Sequence, residues 1–165
     1  MINLITTINT ILKLNTRLLI NALDGIDDEI AQKRIKKNTN NIAFITLHIL
    51  HARFYLAKIL GIEAHFPFPE IDEIKSIDDM KSFPELSTIK NHWQQISMIL
   101  LDHMPQVREE ELNVIAKQKF PIDDNTIFGA VTFLVNHEAY HIGQLGFLRK
   151  YFGLDAIRYS EFQRK

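Results

Sequence analysis

The chain has 165 residues and no cysteine, and its 19 basic and 20 acidic side chains leave a formal charge of −1. This length predicts a single domain, over residues 1–165, whose core is large enough to need no disulfide. The lack of cysteine excludes thiolate metal ligands and suits a reducing cytoplasm. The balanced charge, without a long basic run, argues against nucleic acid as a partner. We therefore expect a cytoplasmic domain that acts on or binds a small molecule.

The first apolar segment, MINLITTINTILKLNTRLLINAL, contains Asn, Thr, Lys and Arg throughout its length. It lacks the apolar core of a signal peptide and the run of about 20 apolar residues that a transmembrane helix needs. Its apolar residues recur at helical spacing, which predicts an amphipathic helix. No membrane partner is expected.

Four apolar-periodic segments, separated by polar connections that contain proline, predict an all-α domain. The predicted helices cover residues 2–23, 42–60, 83–104 and 126–152, and residues 106–121 are predicted to form an irregular or extended arm. The connections between the helices have about 20 residues, whereas antiparallel neighbours in a bundle are usually joined by two to eight. The sequence therefore predicts a four-helix bundle with long crossover connections.

Local signals predict where these helices begin and end. Asn40 is a plausible N-cap of the second helix, and Gly61 suits a left-handed residue at its end. The sequence Ser82-Phe83-Pro84-Glu85 has the spacing of a capping box, which predicts that the third helix begins at Phe83. Gly153 is predicted to end the fourth helix.

The segment NHEAYHIGQ, residues 136–144, places His137 and His141 one helical turn apart. Side chains at this spacing lie about 6 Å apart on one face, so that two imidazoles can bind one metal ion. A third ligand should come from another helix. His48 is the best candidate because it lies in the apolar segment FITLHILHARF, where an unpaired imidazole would be costly. His51, one turn later, is the alternative.

Other polar residues near these histidines could support a site. Gln144 lies one turn after His141, and Tyr55 lies two turns after His48, so either could donate a hydrogen bond to a ligand or a substrate. The remaining histidines are interpreted as ordinary core or surface residues: His65, His92 and His103.

Two glycines lie inside the predicted fourth helix. Gly143 and Gly146 are each about 1 kcal/mol less favourable there than alanine. Their presence suggests that another backbone or a ligand approaches this helix closely.

HEAYH matches the zinc-peptidase pattern H-E-x-x-H, in which Glu138 would be the general base. The extended form of that pattern is absent, because Gln144 and Phe147 stand where a glycine and a third histidine are required. Glu161 follows His141 by 20 residues, as in thermolysin-like peptidases, but in a charged terminal segment. No predicted strand offers a sheet edge that could hold a peptide. We therefore favour another metal chemistry.

Two segments resemble a known family. NNIAFITLHILHARFYLAKILG is similar to the second helix of the DinB-like (YfiT-like) superfamily, and NHEAYHIGQLGFLRKYFG is similar to its last helix. The resemblance implies a four-helix bundle in up-down-down-up order, often a homodimer. It also implies a divalent metal, usually zinc or nickel, held by three histidines, which by position are His48, His137 and His141.

Members of that superfamily include S-transferases that use bacillithiol, mycothiol or glutathione and a mycothiol-dependent isomerase, so the resemblance implies a low-molecular-weight thiol as cosubstrate. Three imidazoles leave a coordination position open, where a thiol would be held as thiolate and attack a small electrophile. Water bound there would make the protein a hydrolase, and a site without chemistry would make it a binding module. Glu138 and Gln144 are the candidate catalytic residues if they point into the pocket, and Tyr55 is the candidate cofactor-binding residue.

Overall fold

The computed structural model describes residues 4–71 and 74–159, and the regular elements in these two ranges are all helices. Four long α-helices form the bundle, and two short α-helices and three single-turn 3-10 helices (Pro69–Ile71, Ile77–Asp79 and Met104–Gln106) lie in the connections of the described ranges. The α-helices are numbered in chain order. They are α1 (Leu4–Ala22), α2 (Asp28–Gln32), α3 (Ile42–Ile59), α4 (Leu86–His103), α5 (Glu109–Leu112) and α6 (Ile127–Tyr151). The predicted all-α fold is confirmed. The predicted arm at residues 106–121 is partly wrong, because it contains α5.

The direction of α6 relative to α1 follows from two hydrogen bonds. The Asn15 amide donates to the Val135 carbonyl at 3.0 Å, and the Arg149 guanidinium donates to the Ala22 carbonyl at 2.9 Å. Earlier residues of α1 thus meet earlier residues of α6, and later residues meet later ones. These two helices run parallel.

The other two long helices run the opposite way. The Arg53 guanidinium on α3 reaches the Ser97 hydroxyl on α4, and His103 at the end of α4 contacts the Leu60 carbonyl that follows α3, so that α3 and α4 are parallel. His48 packs beside His141, whereas Arg53, five residues later, binds Glu138, so that α3 and α6 are antiparallel. The order is up-down-down-up, as expected.

Helix α3 lies at the centre of the core and packs against both α4 and α6. Among the described residues it is the one helix long and apolar enough to cross a membrane. However, 56% of that apolar stretch is buried inside the bundle, and the core helix of a soluble protein meets the same criterion. The apolar length of α3 is therefore weak evidence that this helix crosses a membrane.

The helix ends agree with the sequence in part. Gly61 and Gly153 have φ values of 79° and 81°, which confirms that left-handed glycines follow α3 and α6. The N-cap of α3 is Asn41 and not Asn40: its side-chain oxygen accepts from the Phe44 amide at 2.8 Å.

Helix α4 begins at Leu86, three residues later than predicted, and Glu85 at its N-cap position makes no side-chain capping bond. The Leu86 amide instead donates to the Asp28 carboxylate on α2 at 2.7 Å. The capping acceptor therefore comes from a residue 58 positions earlier in the chain, which no local pattern indicates.

The two glycines in α6 differ in their surroundings. A Cβ atom at Gly146 would lie 3.1 Å from the Ile157 side chain, so the terminal segment packs closely on the helix there. Within residues 4–71 and 74–159 no atom lies within 4 Å of a Cβ built at Gly143. A side chain, and not a backbone, approaches closely at Gly146, and no neighbouring segment of the described residues does so at Gly143, where the approach of a ligand stays a prediction.

The two adjacent asparagines before α3 provide a matched test of the cap. Asn41→Ala should lower the free energy of unfolding by about 1–2 kcal/mol, because it removes the cap and also the bond that the Asn41 amide donates to the Gln32 carbonyl. Asn40→Ala, at an exposed position, should change it by less than about 0.5 kcal/mol. Urea denaturation of both variants measures the difference, and equal losses would contradict the assignment.

Candidate metal centre

The three predicted ligand histidines meet between α3 and α6. The Nε2 atom of His137 lies 3.0 Å from Nε2 of His48 and 3.1 Å from Nε2 of His141. One ligand atom from each histidine can be chosen so that all three lie within 4.8 Å of one another. The turn spacing within α6 and the antiparallel packing of α3 together produce this cluster.

These separations suit one metal ion. Two nitrogens bound to an ion at about 2.0–2.1 Å lie about 2.8–3.4 Å apart, for bond angles between octahedral and tetrahedral values. The Nε2 distances from His137 to His48 and to His141 fall inside that range, and all three ligand atoms lie within 4.8 Å of one another. The three side chains are therefore placed so that they could hold one divalent ion.

The protonation states also suit a metal. Burial, together with the neighbouring imidazoles, lowers the pKa of His48 from 6.5 to about 4, although part of its side chain reaches solvent. Burial likewise lowers the pKa of His137 to about 4, with His141 as the second cause, and it lowers the pKa of His141. Near pH 7 the rings are thus neutral and can bind an ion without first releasing protons.

His51, the alternative third ligand, does not belong to this cluster. Its ring packs on Phe66, with a centroid separation of 4.8 Å. It remains close enough to His48 to disfavour the protonated form of that ring and so lower its pKa. The geometry therefore favours His48 as the third ligand.

Gln144 holds the orientation of His141. The Gln144 Oε1 atom lies 2.7 Å from Nδ1 of His141, and the Gln144 amide donates to the Tyr140 hydroxyl at 3.1 Å. This contact fits the tautomer in which Nδ1 carries the proton, which leaves Nε2 free to bind an ion. His137 differs, because its buried Nδ1 has no hydrogen-bond partner among the residues that the structure describes.

Tyr55 lies farther along α3, beside the segment between α5 and α6, which we call the 113–126 arm. Its hydroxyl donates to the Gln118 side chain of that arm, and its ring lies 6.1 Å from the ring of Phe120. Partial burial raises the pKa of the Tyr55 hydroxyl. Tyr55 therefore connects α3 to the arm.

Glu138 is turned into the core. Its carboxylate accepts hydrogen bonds from Arg53 Nε at 2.5 Å and Nη2 at 2.7 Å, and from the Asn15 amide at 3.2 Å. Both residues of this ion pair are fully buried. Burial raises the pKa of the Glu138 carboxyl, while the contacts with Arg53 and Asn15 oppose that shift and favour the carboxylate.

This arrangement corrects the predicted catalytic role of Glu138, which required a carboxylate pointing into the metal pocket. Both of its oxygens are engaged by the guanidinium, so it cannot be the general base that the H-E-x-x-H pattern implies. Glu161, the proposed glutamate ligand of a peptidase, lies outside the described residues.

Sequence reasoning missed Arg53 and Asn15, although both left a signal. Arg53 is the one charged residue among the first sixteen of the apolar segment that forms α3, and Asn15 interrupts the apolar stripe of α1. A charged and a polar residue at buried positions indicate a buried partner. The glutamate that follows His137 was available as that partner.

The ion pair can be tested by a double-mutant cycle. Glu138→Gln should lower the free energy of unfolding by about 3–5 kcal/mol, because it leaves the Arg53 charge buried without a counter-charge. The double variant Arg53→Met with Glu138→Met should recover at least half of that loss, because it leaves no buried charge. Chemical denaturation measures both, and a Glu138→Gln variant as stable as the parent would show that the pair is not formed.

The ligand assignment can be tested by substituting each histidine. His48→Ala, His137→Ala and His141→Ala should each weaken zinc binding at least about 100-fold, because each removes one of three protein ligands, and should keep the helical circular dichroism spectrum. His51→Ala is the matched control and should bind zinc as the parent does. Loss of zinc in His51→Ala with retention in His48→Ala would show that the third ligand is misassigned.

Comparison with known proteins supports this fold. No protein of curated function gives a significant match. Among solved structures, a DinB-like protein from Bacillus cereus shares 17% sequence identity and a TM-score of 0.67, with 87% of this chain and 89% of that chain covered. Identity this low shows a common fold alone. The family model of the DinB superfamily matches residues 11–145, which include all three histidines, and the chain therefore belongs to the DinB superfamily.

Proposed function

We propose that this protein is a metal-dependent enzyme that activates a low-molecular-weight thiol for transfer to a small electrophile. The observation that carries the proposal is the convergence of three neutral imidazole nitrogens, from His48, His137 and His141, at one point between α3 and α6. Membership of a superfamily commonly associated with metals supports the same conclusion.

The bound ion would be zinc or nickel, since imidazole suits both. With three protein ligands, such an ion keeps at least one position for a small molecule and lowers the pKa of a thiol that binds there. The site is accessible, because the His48 side chain is exposed while the other two are partly buried.

The residues around the site keep the imidazoles neutral and fix their orientation for metal binding. Burial keeps the three rings neutral, and Gln144 fixes the His141 ring by accepting a hydrogen bond from its Nδ1–H group. Gln144 therefore acts by positioning a ligand. We also propose that Tyr55, on the side of α3 that continues from His48, contributes to binding of the cosubstrate, with its hydroxyl placed by Gln118.

The absence of a carboxylate from the histidine cluster, among the described residues, argues against peptidase-type hydrolysis and agrees with a thiol as the activated group. Hydrolysis at a peptidase-type zinc site uses a nearby carboxylate as general base. Within the described ranges the metal-binding group contains histidines alone, and Glu138 is bound to Arg53. A thiol needs no such base, because it is far more acidic than water.

We further propose that the protein is a cytoplasmic homodimer. Three large aromatic side chains on α6, Tyr140, Phe147 and Tyr151, are each more than half exposed. Their spacing places them on one side of the helix. An exposed aromatic stripe of this kind is typical of an interface, and analytical ultracentrifugation would test for a dimer.

The test of function begins with elemental analysis of the protein purified without a His-tag or chelator. The cobalt- or nickel-substituted protein is then titrated with bacillithiol, mycothiol and glutathione. We expect one metal per chain, and a sulfur-to-metal absorption band with one of the three thiols that is absent from His137→Ala. A stoichiometric metal without sulfur ligation by any of them would contradict thiol activation.

A further inference from the structure

A pocket of about 360 Å³ opens beside the metal centre, between the second half of α3 and the segment that follows it. Its polar lining residues include His51 and Tyr55, which are partly buried, and Lys58, Glu63 and His65, which are exposed. The aromatic rings of Phe54 and Phe66 also line it. The exposed polar side chains thus form the rim of the pocket.

The pocket and His48 lie along one side of α3. His48, His51, Tyr55 and Lys58 follow each other at intervals of three, four and three residues, which keeps them on one face of the helix. At 1.5 Å per residue, Lys58 lies about 15 Å from His48 along the helix axis. Because side chains in a helix tilt towards its N-terminus, the Lys58 ammonium is expected to lie nearer the cluster than the Lys58 Cα atom does. An extended molecule of about 10 Å can span the two places.

The charges at the rim are of opposite sign and are not neutralised. Neither Lys58 nor Glu63 forms an ion pair or hydrogen bond with any residue in the described part of the chain. A pocket that offers one ammonium and one carboxylate complements a ligand that carries both charges. An amino-acid group, with its α-carboxylate and α-ammonium, is the smallest common group of that kind.

We propose that this Lys58–Glu63 pocket binds the amino-acid end of the substrate or cosubstrate, with Lys58 contacting the carboxylate and Glu63 the ammonium. The inference rests on the proposed function, because it assumes that the reactive thiol of the same molecule lies at the three histidines. The pocket thereby selects thiols that carry a zwitterionic group about 10 Å from the sulfur over simple alkyl thiols.

Glutathione is the probe, because its γ-glutamyl end carries such a group and its thiol can reach the metal. Isothermal titration calorimetry on the zinc-loaded protein should give a Kd about tenfold weaker for Lys58→Met and for Glu63→Gln. Lys150→Met is the matched control, since Lys150 is exposed at the end of α6 that lies away from the pocket, and it should bind as the parent does. Ethanethiol, which carries neither the carboxylate nor the ammonium, should bind equally to all four proteins.

S-methylglutathione separates this inference from the proposed function, because it has no free thiol. It should bind the metal-free protein in a manner that depends on Lys58 and Glu63. If glutathione gives sulfur ligation with equal affinity in every variant, the pocket assignment fails and thiol activation stands. If S-methylglutathione binding depends on Lys58 but no thiol ligates the metal, the pocket stands and thiol activation fails. Failure of both compounds to bind at millimolar concentration overturns the pocket.

Discussion

The buried ion pair between Arg53 and Glu138 is the interaction on which the bundle and its site both depend. From α3, the guanidinium reaches the Glu138 carboxylate on α6, the Thr16 hydroxyl on α1 and the Ser97 hydroxyl on α4, and it lies 4.0 Å from the centre of the Trp93 ring. One side chain thus contacts all three other long helices. A domain of this size is typically stable by about 5–15 kcal/mol, and an unpaired charge at this depth would cost a large part of that free energy. The helices are therefore held in the one register that pairs Arg53 with Glu138.

That register places the three histidines of the candidate metal site. Glu138 directly follows His137, and Arg53 lies five residues after His48, so the ion pair aligns α3 with α6 at the level where the histidines meet. The three histidines then need only the turn spacing of α6 and the local support of Gln144 to converge. Because Glu138 belongs to the framework of the fold, the protein has the two histidines of a peptidase motif without its base. The H-E-x-x-H pattern is therefore not by itself evidence for a peptidase here.

The sequence predicted the features that follow from periodicity and from the cost of burying polar groups. The four long helices, the glycines that end two of them and the choice of His48 over His51 all came from such arguments, and the long connections indicated crossovers. Two of the failures, at the start of α4 and at Glu138, have a common physical cause, which is a partner distant in the chain. Asp28 caps α4, and Arg53 determines where Glu138 points. Neither contact leaves a local pattern, although an arginine in an apolar helix should have prompted a search for a buried acid.

X-ray absorption spectroscopy of the untagged, zinc-loaded protein tests the central claim most directly, because it counts the ligands of the metal without assuming which residues provide them. The account predicts three imidazole nitrogens at about 2.0–2.1 Å, one further light-atom ligand and no protein carboxylate. In His48→Ala, the number of imidazole ligands obtained from the multiple-scattering signal should fall from three to two. A spectrum with two imidazoles and a carboxylate in the parent protein would contradict the account and restore the peptidase interpretation.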